Sequence, residues 1–134
     1  MSHLSAQEKL ENDTPNPSGA KQILIAEDEP VVRGLLRSFL KLWGYRTLVA
    51  HDGREALEVA AKHPEEIHLL LSDVTMPRMD GQQLAKELTK KRPELKVILI
   101  SGYSHFQIVL RRGWEFIQKP FKPSDVKEAI ERVL

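Results

Sequence analysis

The chain has 134 residues, 41% hydrophobic and 29% charged, which is the size and composition of one globular domain with a core of its own. Cysteine is absent, which excludes a disulfide framework, thiol chemistry and a cysteine zinc site, and a net charge of +1 gives no overall field to draw the chain onto nucleic acid or a membrane. No apolar run approaches membrane-spanning length and the N-terminus lacks a basic region followed by an apolar stretch, so a cytoplasmic location is expected, with no membrane partner.

Met1 to Lys21 is polar and carries Pro15, Pro17, Ser18 and Gly19. That composition predicts a mobile arm or linker over residues 1–20, with Ser5 and Glu8 able to cap at most a short helix. The folded domain is expected over 21–134. Ile23 to Ala26 reads as a first strand, followed by Glu27-Asp28-Glu29 and then Pro30, a good first helical residue. Apolar residues at Val32, Leu35, Leu36, Phe39, Leu40 and Trp43 give the next helix its inner face, and Gly44 stops it.

Tyr45 to Ala50 predicts a second strand, and Asp52 with Glu55 a capped helix that His63-Pro64 breaks. The apolar run from Ile67 stops abruptly at Ser72-Asp73, as a strand buried on both faces does where it leaves its sheet. Pro77 and Gly81 force a turn, Asp80 and Gln83 cap a helix to Lys91, and Val97 to Ile100 is a fourth strand ending in Ser101-Gly102. Glu115 to Gln118 is a fifth, closing on Lys119-Pro120, and a last helix opens at Pro123 with Val126 and Ile130 inward. Strict alternation of strand and helix predicts right-handed βαβ units and a five-stranded, doubly wound parallel sheet of the flavodoxin-like kind.

Open sheets of this kind place their chemistry at the carboxyl ends of the strands. Four such ends carry polar groups: Glu27 and Asp28, Asp73, Ser101, and Lys119. Taken singly each has an ordinary role, as a helix cap, a turn former or a solvated loop lysine. Together they make a set suited to phosphoryl transfer onto a carboxylate: acidic oxygens for a hard cation, a hydroxyl for a phosphoryl oxygen and an ammonium to neutralise it.

Four blocks in order carry a resemblance to the receiver domain of two-component response regulators: Ile23 to Pro30, Ser72 to Gly81, Leu99 to Gly102, and Phe116 to Phe121. The resemblance covers residues 21 to 134. It implies that Asp73 is the phosphoacceptor, taking a phosphoryl group from a sensor histidine kinase or a phosphotransfer protein. It implies that Asp28 and Asp73, the backbone carbonyl of Thr75 and a supporting Glu27 hold Mg²⁺, that Ser101 and Lys119 contact the incoming phosphoryl oxygens, and that the Lys119–Pro120 bond is cis. Phe116 stands at the family's aromatic switch position, where a plain core phenylalanine is the alternative. Thr75 and Tyr103 stand where residues that set the lifetime of the phosphorylated state are found. The sequence departs from the family in one place, for Ser104 to Arg112 leaves the fourth helix shorter by about one turn.

Three other readings are open to the same residues. An aspartyl-phosphate phosphohydrolase would carry a second aspartate two residues after the nucleophile, where Thr75 stands. A DNA-binding regulator would need a base-reading module, and none is present. A receiver-like interaction module that is never phosphorylated would be expected to have lost an essential residue. The receiver reading makes the protein a switch that catalyses only its own phosphorylation and dephosphorylation.

Overall fold

The structure, a computed structural model, describes residues 4–16, 19–102 and 112–134. Five strands, β1 (Gln22–Ala26), β2 (Arg46–Ala50), β3 (Leu69–Asp73), β4 (Lys96–Ser101) and β5 (Trp114–Gln118), form one sheet in the order β2-β1-β3-β4-β5. Every pairing in it is parallel. The helices are α1 (Ala6–Asp13), α2 (Pro30–Leu42), α3 (Gly53–Ala61), α4 (Gly81–Lys91) and α5 (Pro123–Val133). This is the doubly wound, flavodoxin-like sheet that the alternating pattern predicts. The expected short fourth helix falls within 104–112 and so lies outside the described residues, apart from Arg112.

The sheet is buried on both faces because β1, β3 and β4 each carry an unbroken apolar run through their centres. Leu24, Leu70 and Leu99 pack toward α3 and α4, while Ile23, Ile25, Leu69, Leu71 and Ile98 pack toward α2 and α5. In α2 the inner face is narrower than its periodicity suggests. Leu36 and Leu40 are buried, but Leu35 is 53% exposed, and Arg33, a residue that periodicity assigns to the polar face, is 1% exposed.

Within the segment 1–20, over which composition predicts a mobile arm, the described residues carry a helix. Ala6–Asp13 is helical, with a reciprocal capping box between Ser5 and Glu8. It is held by tertiary contacts that local composition does not reveal. Leu4 joins the core beside Leu36 and Val49. The Asn12 side chain both donates to Val49 O and accepts from Val49 N–H, at 2.9 and 2.8 Å, so one amide pairs with the open edge of β2. Arg46 donates to the carbonyls of Glu11 and Thr14. An exposed strand edge is a template for unwanted pairing, and α1 covers this one.

Candidate functional site

Asp73 is the last residue of β3, paired with Ile100 of β4. The chain beyond it is drawn back at once: Val74 N–H donates to Ile100 O, and Gly81 N–H donates to Val74 O. Gly81 is required there, because a Cβ would lie 2.2 Å from the Asp73 carbonyl oxygen. The Ser72 hydroxyl also donates to that carbonyl, at 2.8 Å. Asp73 therefore has a fixed backbone, and its side chain is presented at the sheet rim.

Two other strand ends converge on it. Glu27 follows β1, its N–H donating to Ala50 O and its carboxylate accepting from Glu29 N–H at 3.0 Å. Glu27, Asp28 and Asp73 each offer one oxygen, all within 4.8 Å of one another. Lys119 follows β5; its Nζ donates to Asp73 Oδ2 at 2.9 Å, and its backbone N–H donates to Ser101 O at 2.8 Å. Thr75 N–H points at Asp73 Oδ1 from 3.3 Å, a long contact. Asp28, Glu29, Asp73, Thr75, Gly102 and Lys119 line an open cavity of ≈ 370 Å³.

The electrostatics of this group are unbalanced. Burial, reinforced by the Asp73 charge and by Asp28, pushes the Glu27 carboxyl up to about 7, despite the bond from Glu29 N–H and the Lys119 charge. Burial acts against the Lys119 ammonium, but the hydrogen bond and charge of Asp73, with Glu27 and Glu29 behind it, hold its pKa above the ordinary lysine value. Among the described residues, the Lys119 ammonium faces the carboxyl groups of Glu27, Asp28 and Asp73. An oxygen-only donor set with excess negative charge fits a hard divalent cation of the Mg²⁺ type.

The residues expected from sequence are thus largely brought together: Asp28, Asp73, Thr75 and Lys119 line one cavity, and Glu27 clusters with Asp28 and Asp73. Ser101 is buried at the end of β4, one residue beyond the partner of Asp73. Phe116 is half-buried in β5 opposite Leu99, on the sheet face that Ser101 shares. The Lys119–Pro120 bond is cis. Tyr103 lies outside the described residues.

One network was missed. Arg78, in the loop after Asp73 and at φ 69°, donates through Nε to Asp52 Oδ2 at 2.6 Å and meets His51 Nε2 at 3.0 Å. His51 Nδ1 is 2.8 Å from Glu55. Asp52, read from sequence as a helix cap, accepts from Glu55 N–H and also anchors this loop. Burial works against the Asp52 charge, but the Glu55 N–H, the Arg78 guanidinium and His51 hold its carboxyl below the usual range. Only the spacing of Asp52 and Arg78 across two loops at the same sheet rim signals it.

The family model of the response regulator receiver domain matches residues 23–131. The chain is 36% identical to the sensor kinase CckA of Brucella abortus over 96% of its own length, spanning 14% of that much longer protein. It is 34% identical to the response regulator receiver protein CpdR of the same organism, over 85% of this chain and 97% of CpdR. Among solved structures, the response regulator TrrA of Thermotoga maritima, in complex with Mg²⁺-BeF, superposes with a TM-score of 0.75 at 34% identity, covering 85% of this chain and 99% of that one. The chain belongs to the response regulator receiver domain family.

Proposed function

We propose that this domain is a phosphoacceptor switch in which Asp73 takes a phosphoryl group from a phosphohistidine on a sensor kinase or phosphotransfer protein. The observation that carries the reading is the Lys119–Asp73 contact of 2.9 Å inside the three-carboxylate cluster. An Asp73 oxygen forms the new bond to phosphorus as the nitrogen–phosphorus bond of the donor breaks, the imidazole leaving with the electron pair. Such a transfer is loose at phosphorus, so in-line positioning and charge neutralisation are the protein's main contributions. Asp28, Asp73 and the Thr75 carbonyl, with Glu27 in support, would hold Mg²⁺, which when bound supplies positive charge to the transferring oxygens. Lys119 neutralises a phosphoryl oxygen and Ser101 donates to another. The Mg²⁺-BeF complex of TrrA supports the metal requirement, since a tetrahedral beryllium fluoride stands in for a phosphoryl group.

A protein donor is supported by the surface beside the site. Val31 and Leu35 are exposed, and an apolar groove runs from Val32 and Leu36 to Pro120 and Phe121. Exposed apolar area of this kind marks a protein contact. Phe116 transmits the state of Ser101 by packing, and Thr75 and Tyr103 set the lifetime of the acyl phosphate. No helix among the described residues is long and apolar enough to cross a membrane.

The experiment is labelling with a small phosphodonor in Mg²⁺. Wild type should acquire one base-labile acyl phosphate, and Asp73→Asn none, with its fold retained. Label persisting in Asp73→Asn would identify another nucleophile. Rapid continuous release of phosphate would favour the hydrolase reading.

A further inference from the structure

We infer that α1 sets the affinity of the acidic site for Mg²⁺, acting through the buried Arg33; the inference rests on the phosphoacceptor reading and adds a regulatory input to it. Arg33 ties α1 to the acidic loop through its guanidinium. Its Nε donates to Glu8 Oε2 at 2.8 Å and its Nη2 reaches Glu8 Oε1 at 3.4 Å, while Nη1 donates to the backbone carbonyl of Glu27 at 2.9 Å. One rigid, planar fork thus spans α1 and the first residue of the acidic loop, and its geometry relates the position of one to that of the other.

The helix it touches is short enough to exchange between docked and undocked states. An eight-residue helix is marginal on its own, and α1 is held by Leu4, Asn12, Arg46 and the Glu8–Arg33 pair. Segments held by few contacts open locally at much lower free energy than the domain unfolds. While α1 is docked, Glu8 neutralises Arg33 and holds the guanidinium against the Glu27 carbonyl instead of the carboxylates. When α1 leaves, the guanidinium loses Glu8 as its counter-charge while its Nη1 remains next to the Glu27 carbonyl. The carboxylates of Glu27 and Asp28 are then the compensation at hand. Arg33 then competes with a bound cation and loosens the loop that presents Asp28. By linkage, Mg²⁺ at the site must favour the docked state of α1 by the same factor.

The test is a calorimetric Mg²⁺ titration of the full chain at fixed ionic strength, paired with amide exchange over residues 6–13. Glu8→Gln should raise the Mg²⁺ dissociation constant by about fivefold or more, the lower end of ordinary couplings between sites. Arg33→Lys should do the same, because an ammonium keeps the charge but cannot hold both Glu8 and the Glu27 carbonyl. Lys90→Ala, which removes the exposed Lys90–Glu87 pair on α4 and touches neither α1 nor the acidic loop, should leave the constant unchanged. In wild type, saturating Mg²⁺ should slow exchange in α1, and in Arg33→Lys it should not. Wild-type affinity in both Glu8→Gln and Arg33→Lys would overturn the coupling and leave the phosphoacceptor reading standing. Exchange in wild-type α1 that ignores Mg²⁺ would overturn the coupling without any substitution. Failure of wild type to bind Mg²⁺ at all would overturn both.

Discussion

Glu8 and Glu27 are buried carboxylates on either side of the same arginine, and burial leaves them in opposite states. Glu8 receives the guanidinium of Arg33 and the N–H of Ser5, and although burial opposes its charge, those bonds hold its carboxyl below the ordinary range. Glu27 gives Arg33 only its backbone carbonyl; its carboxyl group sits with Asp28 and Asp73 and is pushed up to about 7. The difference separates charges that hold a structure together from charges kept for a ligand. A balanced pair is already satisfied and contributes by staying intact. An unbalanced cluster stores repulsion that an arriving cation discharges.

The comparison breaks most severely at Arg33. Arg33→Ala leaves the Glu8 carboxylate without its partner, removes the donor to Glu27 O and empties a fully buried site. Removing one partner of a buried pair costs roughly 3–5 kcal/mol, and the lower part of that range is expected here because α1 can peel away and rehydrate Glu8. Urea unfolding measures the loss. A change below about 0.5 kcal/mol, the ordinary surface effect, would show that the pair is not structural.

Arg33 also shows where sequence reasoning reaches its limit. The candidate site was legible because its signal is local: an apolar run that stops at a polar residue marks a strand end, and Glu27, Asp73 and Ser101 each close such a run, while Lys119 follows the short strand Trp114–Gln118. Fold class followed from the same alternation. By contrast, Arg33 and Leu35 exchange the environments that helical periodicity assigns them, because Glu8, 25 positions away, decides where a guanidinium can be buried. The docked α1 was illegible for the same reason. Its capping box could be read, but the Asn12 contact with Val49 exists only once β2 is an edge strand. The Arg78–Asp52 bond likewise depends on two loops meeting at one rim.

Mg²⁺ sharpens the comparison from the other side. At about ten times its dissociation constant, a ligand specific to the native state adds roughly 1.4 kcal/mol. Thermal midpoints in Mg²⁺ and in Na⁺ of matched ionic strength should differ accordingly. Asp28→Asn should abolish the difference, while Glu8→Gln should shrink it without abolishing it. Equal midpoints in the two salts for wild type would mean that the carboxylates repel one another without forming a cation site.

The gentlest test uses protons in place of metal. In the unfolded chain Glu27 releases its proton near the ordinary value of 4.5, whereas in the folded protein it keeps it to about 7. Between those values the native state binds more protons than the unfolded state, so this group makes stability fall as pH rises across the window. The slope has a ceiling of about 1.4 kcal/mol per pH unit for one proton. Glu8 acts with the opposite sign: its lowered value gives stability that is fully present above 4.5 and lost as acid protonates it. His63, whose pKa burial lowers from 6.5, also gains stability with rising pH, so the raw profile mixes both directions. The difference between wild type and Glu27→Gln isolates Glu27. In metal-free buffer the variant should gain on wild type steadily from pH 4.5 to 7 and hold a constant advantage above that. Saturating Mg²⁺ should remove most of the gain, because a bound cation stabilises the ionised carboxylate of wild type. A difference curve that is flat through the window would show that Glu27 ionises normally, and the contrast with Glu8 would then rest on geometry alone.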